Sequence, residues 1–260
     1  MPAPGADVEA LFVPEGNVLL PTEFTIGPWR PDALHGSVVA ALMASALDDP
    51  DRNFARLTVD LFGSVPMRPL RLDLEPEVGG RKVQRRSAVL SDDGRLLARA
   101  TALYLTHSEV EIPEAAEVAV QHPGDLEPLP ESRAGWPGFE SRAMALRTER
   151  TDQGSMRGWF QLLVPAVAGQ PLTPLQSASA AADYTSGGTN LVLSLKRWVF
   201  MSVDLTVNFS RRPTGNWVAL ESPPSMLGEL GVGIASGVLH DARGPFARVA
   251  QTQLVQKAPA

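Results

Sequence analysis

LHGSVVAALMASAL, residues 34–47, carries no acidic side chain and no lysine or arginine, and most of its residues are apolar or small. Leu34, Val38, Leu42 and Ala46 recur at helical spacing, and Val39 and Met43 fill the adjacent row. A helix on the surface of a globular protein shows a polar stripe. This one shows none, so it reads as a helix wrapped on most sides. Pro31 precedes it, and Asp48-Asp49-Pro50 ends it, because proline cannot continue a helix. Gly36, near its start, allows close backbone approach.

Upstream, residues 17–25 (NVLLPTEFT) read as a strand ended by Pro21, residues 1–16 as a loose lead-in, and GPWRPD at 27–32 as a turn. Downstream the period changes to two. Residues 55–63 alternate Leu57, Val59 and Leu61 with Thr58, Asp60 and Phe62, and RLDLE at 71–75 alternates strictly. Gly79-Gly80 turns the chain into a strand at 82–90. Ser91-Asp92-Asp93-Gly94 is a hairpin signal before a strand at 95–106. One core helix wrapped by an antiparallel sheet is the hot-dog arrangement.

Residues 107–141 change character, with Pro113, Pro123, Pro128, Pro130 and Pro137 and an acidic excess. They read as a linker or surface crossing rather than a packed element. The pattern then restarts, with strands at 141–150 and 155–164, a short Ala-rich helix at 177–184, and a long strand at 198–210. In that strand Val199, Met201, Val203, Leu205, Val207 and Phe209 face one way and Ser202, Asp204, Thr206 and Asn208 the other. Strands at 216–222, 230–240 and 245–256 follow, with a hairpin turn at Asp241–Gly244. Thr58-Val-Asp-Leu61 echoes Ser202-Val-Asp-Leu205, and the Asp/Gly hairpins with Ala98-Arg99 and Ala247-Arg248 echo each other in the same order. The expected fold is therefore α+β: a tandem (double) hot-dog with two antiparallel sheets, each wrapping a core helix. Its parts are an N-terminal unit at 1–108, a Pro-rich linker at 109–140 and a C-terminal unit at 141–260.

Composition narrows the function. A chain of 260 residues buries enough surface to fold without a disulfide or metal staple, and it has no cysteine. That excludes thiol nucleophiles and zinc-thiolate sites and fits a reducing, cytoplasmic setting. A net charge of −6 argues against a nucleic-acid partner. No apolar run approaches the roughly 20 residues of a membrane helix, and MPAPGAD lacks the basic region and apolar core of a secretory signal.

The sequence has no Gly-x-Ser-x-Gly elbow, phosphate-binding Gly-rich loop, His-Glu-x-x-His or dinucleotide fingerprint. Its histidines, His35, His107, His122 and His240, are too scattered for a metal site. His35 stands at the helix entrance, and the other three read as solvated loop residues. Asp183, in ASAAADY at 178–184, places a carboxylate on the second buried helix, where it is costly unless paired, hydrogen-bonded or at a cleft.

These residues carry a resemblance to the bacterial acyl-CoA thioesterase II (TesB-like) family of double hot-dog enzymes. In the first half it runs through Leu34-His-Gly-Ser-Val-Val-Ala-Ala-Leu-Met43. In the second it runs through Ala182-Asp183-Tyr184, Ser202-Val-Asp-Leu205 with Asn208-Phe-Ser-Arg-Arg212, and Ala250-Gln251. The resemblance implies one active site, in the second half, made of Asp183 on the helix, Ser202 on the next strand and Gln251 on the last. The family usually has threonine where this chain has Ser202, so the hydroxyl is kept and the rotamer-restricting methyl is lost. It also implies hydrolysis of acyl-CoA to fatty acid and CoA by activated water, with CoA entering only as part of the substrate and neither cofactor nor metal required. Asp183 would take the water's proton, Ser202 and Gln251 would fix geometry, and backbone N–H groups at a helix start would hold the oxyanion. Asp204 rivals Asp183 but reads as structural. Gly36, His35, Arg211 and Arg212 are candidate substrate contacts, with Arg56, Lys196 and Arg197 as further cations for CoA phosphates. Met43, Phe62 and Tyr104 are candidates for the acyl wall or for plain core packing. The first helix has no acid, and Ala102 stands where a counterpart of Gln251 would fall. A homodimer or homotetramer is expected. The competing readings are a non-catalytic acyl-CoA-binding protein and a hot-dog hydratase or dehydratase. The latter chemistry uses a His/Asp pair, whereas His35 and Asp183 lie in different halves.

Overall fold

The computed structural model describes residues 9–111, 138–150, 155–186, 193 and 197–258, with the side chains of 148–150 outside it. The first elements are a hairpin, β1 (Phe12–Glu15) and β2 (Val18–Pro21), then helix α1 (Gly36–Leu47). Strands β3 (Asn53–Leu61), β4 (Arg71–Leu74), β5 (Val78–Gly79), β6 (Val83–Asp92) and β7 (Arg95–Leu105) follow. Beyond 112–137 come α2 (Phe139–Arg142), β8 (Met144–Arg150), β9 (Met156–Leu162) and α3 (Pro174–Ala182), which continues into a 3-10 turn, Asp183–Ser186. The chain closes with β10 (Trp198–Ser202), β11 (Asp204–Phe209), β12 (Val218–Ser222), β13 (Met226–Leu227), β14 (Val232–Asp241) and β15 (Gly244–Lys257).

The two sheets anticipated from the sequence are joined into one. Among the described residues a 13-stranded antiparallel sheet runs β4-β6-β7-β3-β11-β15-β14-β12-β9-β8, with β5, β10 and β13 paired alongside β6, β15 and β14. The joint is the β3/β11 pair, in which Asp60 faces Asp204 and Thr58 faces Thr206. These are the repeated Val-Asp-Leu motifs, so the two halves meet motif to motif. The flanking hairpins also correspond. β8/β9 pairs with β12, while β1/β2 reaches the start of β4 through reciprocal hydrogen bonds between Leu19 and Leu70.

α1 is buried almost all round, from Ser37 to Ala44 and again at Leu47, as its lack of a polar stripe requires. α3 starts earlier than its Ala-rich run suggests. Thr173 caps it by accepting from Gln176 N–H at 3.3 Å, and Pro174 occupies its first position. α1 and α3 pack antiparallel, with Ser37 at the start of α1 meeting Asp183 and Ser45 near its end meeting Gln176. Their alanines let the axes approach closely. Met43 is fully buried, and Tyr104 is buried with its hydroxyl on the Leu47 carbonyl at 2.5 Å, so both are core. Phe62 is 54 % exposed and lines no interior.

Several expectations change. The lead-in at 1–16 contains β1, whose Phe12 is fully buried. Most of the 109–140 linker lies outside the described residues, but its end packs: Phe139 is fully buried. His240 sits on β14 and is 2 % exposed, not solvated, and His122 lies outside the described residues. The long strand at 198–210 is two strands. Thr206 is four positions on from Ser202, but their partners Gln253 and Ala250 are only three positions apart, so Val203 is an inserted bulge residue. The bulge reverses the alternation: Phe200 faces the core before it, Leu205 and Val207 after it.

Candidate active site

The bulge decides where Ser202 points. A regular strand would put its hydroxyl on the same face as Asp204, away from the core. With Val203 inserted, Ser202 shares the inner face with Phe200 and donates to Gln251 Oε1 at 3.3 Å. Asp204 stays on the other side of the bulge and accepts Thr252 N–H at 2.5 Å, a structural bond.

Gln251 lies on the inner face of β15, opposite fully buried Ala235. Its Nε2 donates to Asp183 Oδ1 at 2.8 Å and to the Asp183 carbonyl at 3.2 Å. The other carboxylate oxygen, Oδ2, accepts from Ser37 Oγ at 3.1 Å. Asp183 is 7 % exposed. A carboxylate so far out of water needs such donors, and the positive end of α1 favours its charge. The three residues that the resemblance implies thus form one hydrogen-bonded chain, Ser202–Gln251–Asp183. It is anchored on the first turn of a helix from the other half of the protein.

His35 caps that helix. Its Nδ1 accepts Ser37 N–H at 3.1 Å, so in the neutral ring the proton sits on Nε2. Nε2 faces Glu140 Oε1 at 3.5 Å, and Nδ1 stands 3.6 Å from Asp183 Oδ2. Phe139 and Tyr184 pack against the ring, at centroid distances of 4.9 and 5.6 Å. The Tyr184 hydroxyl is buried and has no hydrogen-bond partner among the described residues. Burial pushes its pKa well above the usual 10, with Glu140 and Asp183 adding to the rise, so it stays protonated.

Residues 25–105 match the acyl-CoA thioesterase N-terminal domain, and residues 113–255 match the acyl-CoA thioesterase C-terminal domain. The chain belongs to the acyl-CoA thioesterase family. As a member it is a thioester hydrolase. Solved structures agree on a hot-dog fold. A protein of unknown function with that fold from Alicyclobacillus acidocaldarius has a TM-score of 0.72 at 19% identity, over 98% of each chain. The acyl-CoA thioesterase II TesB2 of Mycobacterium marinum has 0.65 at 18%, covering 98% of this chain and 96% of its own. The tesB protein of Mycobacterium avium subsp. paratuberculosis has 0.64 at 16%, covering 87% and 88%. No curated protein matches the sequence.

The remaining candidates in this acyl-CoA thioesterase separate cleanly. His35 and Gly36 are at the site. Arg211 and Arg212 are not brought to it. Arg211 clasps fully buried Asp241 through two bonds of 2.6 and 2.7 Å. Arg212 reaches Asp48 at 2.8 Å and the Asp49 and Arg52 carbonyls, tying the end of β11 to the end of α1. Both guanidinium groups are committed to the fold. Lys196 lies outside the described residues, and Arg197 is exposed beside β10.

Sequence reasoning missed Ser37, Tyr184, Phe139 and Glu140. Ser37 carried a signal, since a hydroxyl in the first turn of a helix bonds local polar groups readily. Glu140 carried none. It follows a proline-rich stretch, and only the folded chain shows that Gly138 packs against Ile26 and turns Glu140 toward His35.

Proposed function

We propose that this chain hydrolyses acyl-CoA thioesters to fatty acid and CoA by direct attack of a water held by Asp183, Gln251 and Ser202. The observation that carries the reading is the Asp183 carboxylate, out of bulk water and fixed by Gln251 on one oxygen and Ser37 on the other. Asp183 takes one proton from the attacking water as its oxygen bonds to the thioester carbon. The carbonyl electrons move to oxygen, and N–H groups of the first turn of α1, which the helix itself leaves unpaired, receive that charge. When the carbonyl re-forms, the C–S bond breaks and the sulfur leaves as thiolate, which takes the remaining proton of the nascent carboxylic acid, so that the acid departs as carboxylate. No covalent acyl-enzyme is involved. Gln251, itself fixed by Ser202, and Ser37 hold the base in one orientation.

The double hot-dog reading of the fold is part of this proposal, with units at 1–108 and 141–260 and the site in the second. It is supported by the paired α1 and α3, the matched hairpins and the motif-to-motif joint at Asp60 and Asp204. The first half then supplies the helix start on which the carboxylate rests. Homo-oligomer formation is supported by exposed apolar side chains on the outer face of β13 to β15, namely Met226, Val232, Ile234 and Leu254. The lack of cysteine supports a cytoplasmic location. No helix among the described residues is long and apolar enough to cross a membrane.

One observation favours a second reading. His35 and Asp183 lie 3.6 Å apart despite coming from different halves, which is the His/Asp pair that hydratase chemistry uses. A single experiment separates the readings. Thiol release is followed for short to long acyl-CoAs, with an enoyl-CoA included, for the wild type and Asp183→Asn. Release of CoA that falls at least about a hundredfold in Asp183→Asn supports water attack. Hydration of the enoyl-CoA without thiol release moves the chain to the second reading. Binding without either reaction makes it an acyl-CoA-binding protein.

A further inference from the structure

We propose that His35 and Glu140 form the exit path for the proton that Asp183 collects, with Glu140 delivering it to solvent. The inference rests on Asp183 being the base. At neutral pH a thioester and water become a carboxylate, a thiol and one free proton, so each turnover must send one proton out of the site. Both oxygens of the Asp183 carboxylate are covered by protein groups. Its Oδ1 is occupied by the Gln251 amide, which cannot accept a proton there. Its Oδ2 faces two groups with lone pairs, the Ser37 hydroxyl at 3.1 Å and His35 Nδ1 at 3.6 Å. Only the imidazole leads outward, because its far nitrogen faces Glu140.

The transfer balances without any co-reactant. A proton on Asp183 Oδ2 moves to His35 Nδ1 as Nδ1 releases the Ser37 N–H, and the proton already on Nε2 passes to Glu140 Oε1, 3.5 Å away. The Glu140 side chain is 12% exposed and hands the proton to water. The ring then returns to its starting tautomer. Phe139 and Tyr184 pack against the imidazole and limit its rotation, so each nitrogen stays near its own carboxylate. The other ionisable groups nearby do not compete. Tyr184 stays protonated, and Arg142, on the same short helix as Glu140, is paired with Glu23. His35 and Glu140 touch neither the attacking water nor the thioester in this scheme and act through Asp183.

The variants are chosen to keep the local structure. Glu140→Gln still offers an oxygen to His35 Nε2–H but cannot take its proton. His35→Asn still caps α1, since asparagine is among the preferred caps. Each is expected to lower kcat roughly tenfold with KM unchanged, and the pair together no further than either alone. In Glu140→Gln, raising the concentration of imidazole buffer at fixed pH restores much of the lost rate, whereas the wild type does not respond. Wild-type kcat in both variants, or a loss that buffer does not relieve in Glu140→Gln, overturns the relay. If His35→Asn fails to fold, Glu140→Gln with its buffer response decides alone. Asp183→Asn is assayed alongside. If it retains activity, the base assignment falls. If it is inactive while Glu140→Gln behaves as wild type, only the relay falls.

Discussion

A Cβ placed on Gly36 would stand 2.7 Å from Asp183 Oδ2, closer than any carbon and carboxylate oxygen can sit. The missing side chain in the first half of the chain is therefore what lets the carboxylate of the second half rest on α1. In Gly36→Ala the carboxylate moves rather than the helix, because the carboxylate is the end of a side chain. The variant should fold with an unchanged or slightly higher Tm, since alanine favours a helix over glycine by up to about 1 kcal/mol. Its kcat should fall on the order of a hundredfold, the usual cost of misplacing a reacting group by about 1 Å. A loss of Tm in step with activity would mean that Gly36 serves the fold rather than the site.

Gln251 is the hinge of the trio, since it donates to Asp183 and accepts from Ser202. Gln251→Ala leaves Asp183 Oδ1 without its donor, and kcat should drop more than in Ser202→Ala, which frees only the far end of the amide. About one to two orders of magnitude against less than one is the expected split. Ser202→Thr keeps the hydroxyl and adds a methyl that limits its rotamers, so it should match or exceed the wild-type rate. Steady-state kinetics on one good acyl-CoA checks all three, and a Ser202→Ala as slow as Gln251→Ala would refute the ranking.

What the sequence showed of this site was its residue types, not its geometry. An uncharged helix at 34–47 and period-two strands announce the helix-in-sheet fold, because burial dictates both patterns. Asp183 is conspicuous as a charge on an otherwise buried, Ala-rich helix. The orientation of Ser202 was not legible, since an inserted residue at Val203 leaves no mark in a strand that alternates perfectly on paper. Nor was the closeness of His35 and Asp183. They lie far apart in the chain, and the antiparallel packing of α1 on α3 that joins them depends on small side chains whose partners no local pattern names. Arg211 and Arg212 looked like free cations because their acids, Asp241 and Asp48, are supplied by other elements.

Tyr184 presents a hydroxyl that is buried and without a partner among the described residues, in a ring otherwise well packed against Phe160 and His35. An unpaired buried hydroxyl costs about 1–3 kcal/mol relative to an apolar group of the same shape. Tyr184→Phe should therefore raise Tm by a few degrees in the free enzyme. A fall in Tm would show that the hydroxyl has a partner. Kinetics of the same variant tell whether bound substrate is that partner, through a higher KM.

Acid should destabilise the fold in two separate windows, through two neighbours on β14. Burial lowers the pKa of His240 below its ordinary 6.5, with Glu221 and Asp241 opposing the shift only in part. The unfolded chain thus binds this proton more readily than the folded one, and stability falls as the pH drops through about 6.5. Asp241 acts in the same direction for a different reason. Burial alone would raise its pKa, but Arg211, the Arg243 and Thr214 N–H groups and the Thr214 hydroxyl outweigh burial and hold it at about 2, against 3.8 unperturbed. Its contribution, on the order of 2 kcal/mol, is complete above about 3.8 and lost as the pH falls toward 2. Tm measured from pH 8 to pH 2 should therefore decline once near neutrality and again below pH 4 in the wild type. His240→Gln should flatten the first decline and leave the second. Asp241→Asn should lower Tm at neutral pH, because Arg211 loses its partner, and converge on the wild type only at the acid end. A wild-type Tm that is level from pH 7.5 to 5, or an Asp241→Asn profile parallel to the wild type throughout, would contradict this account.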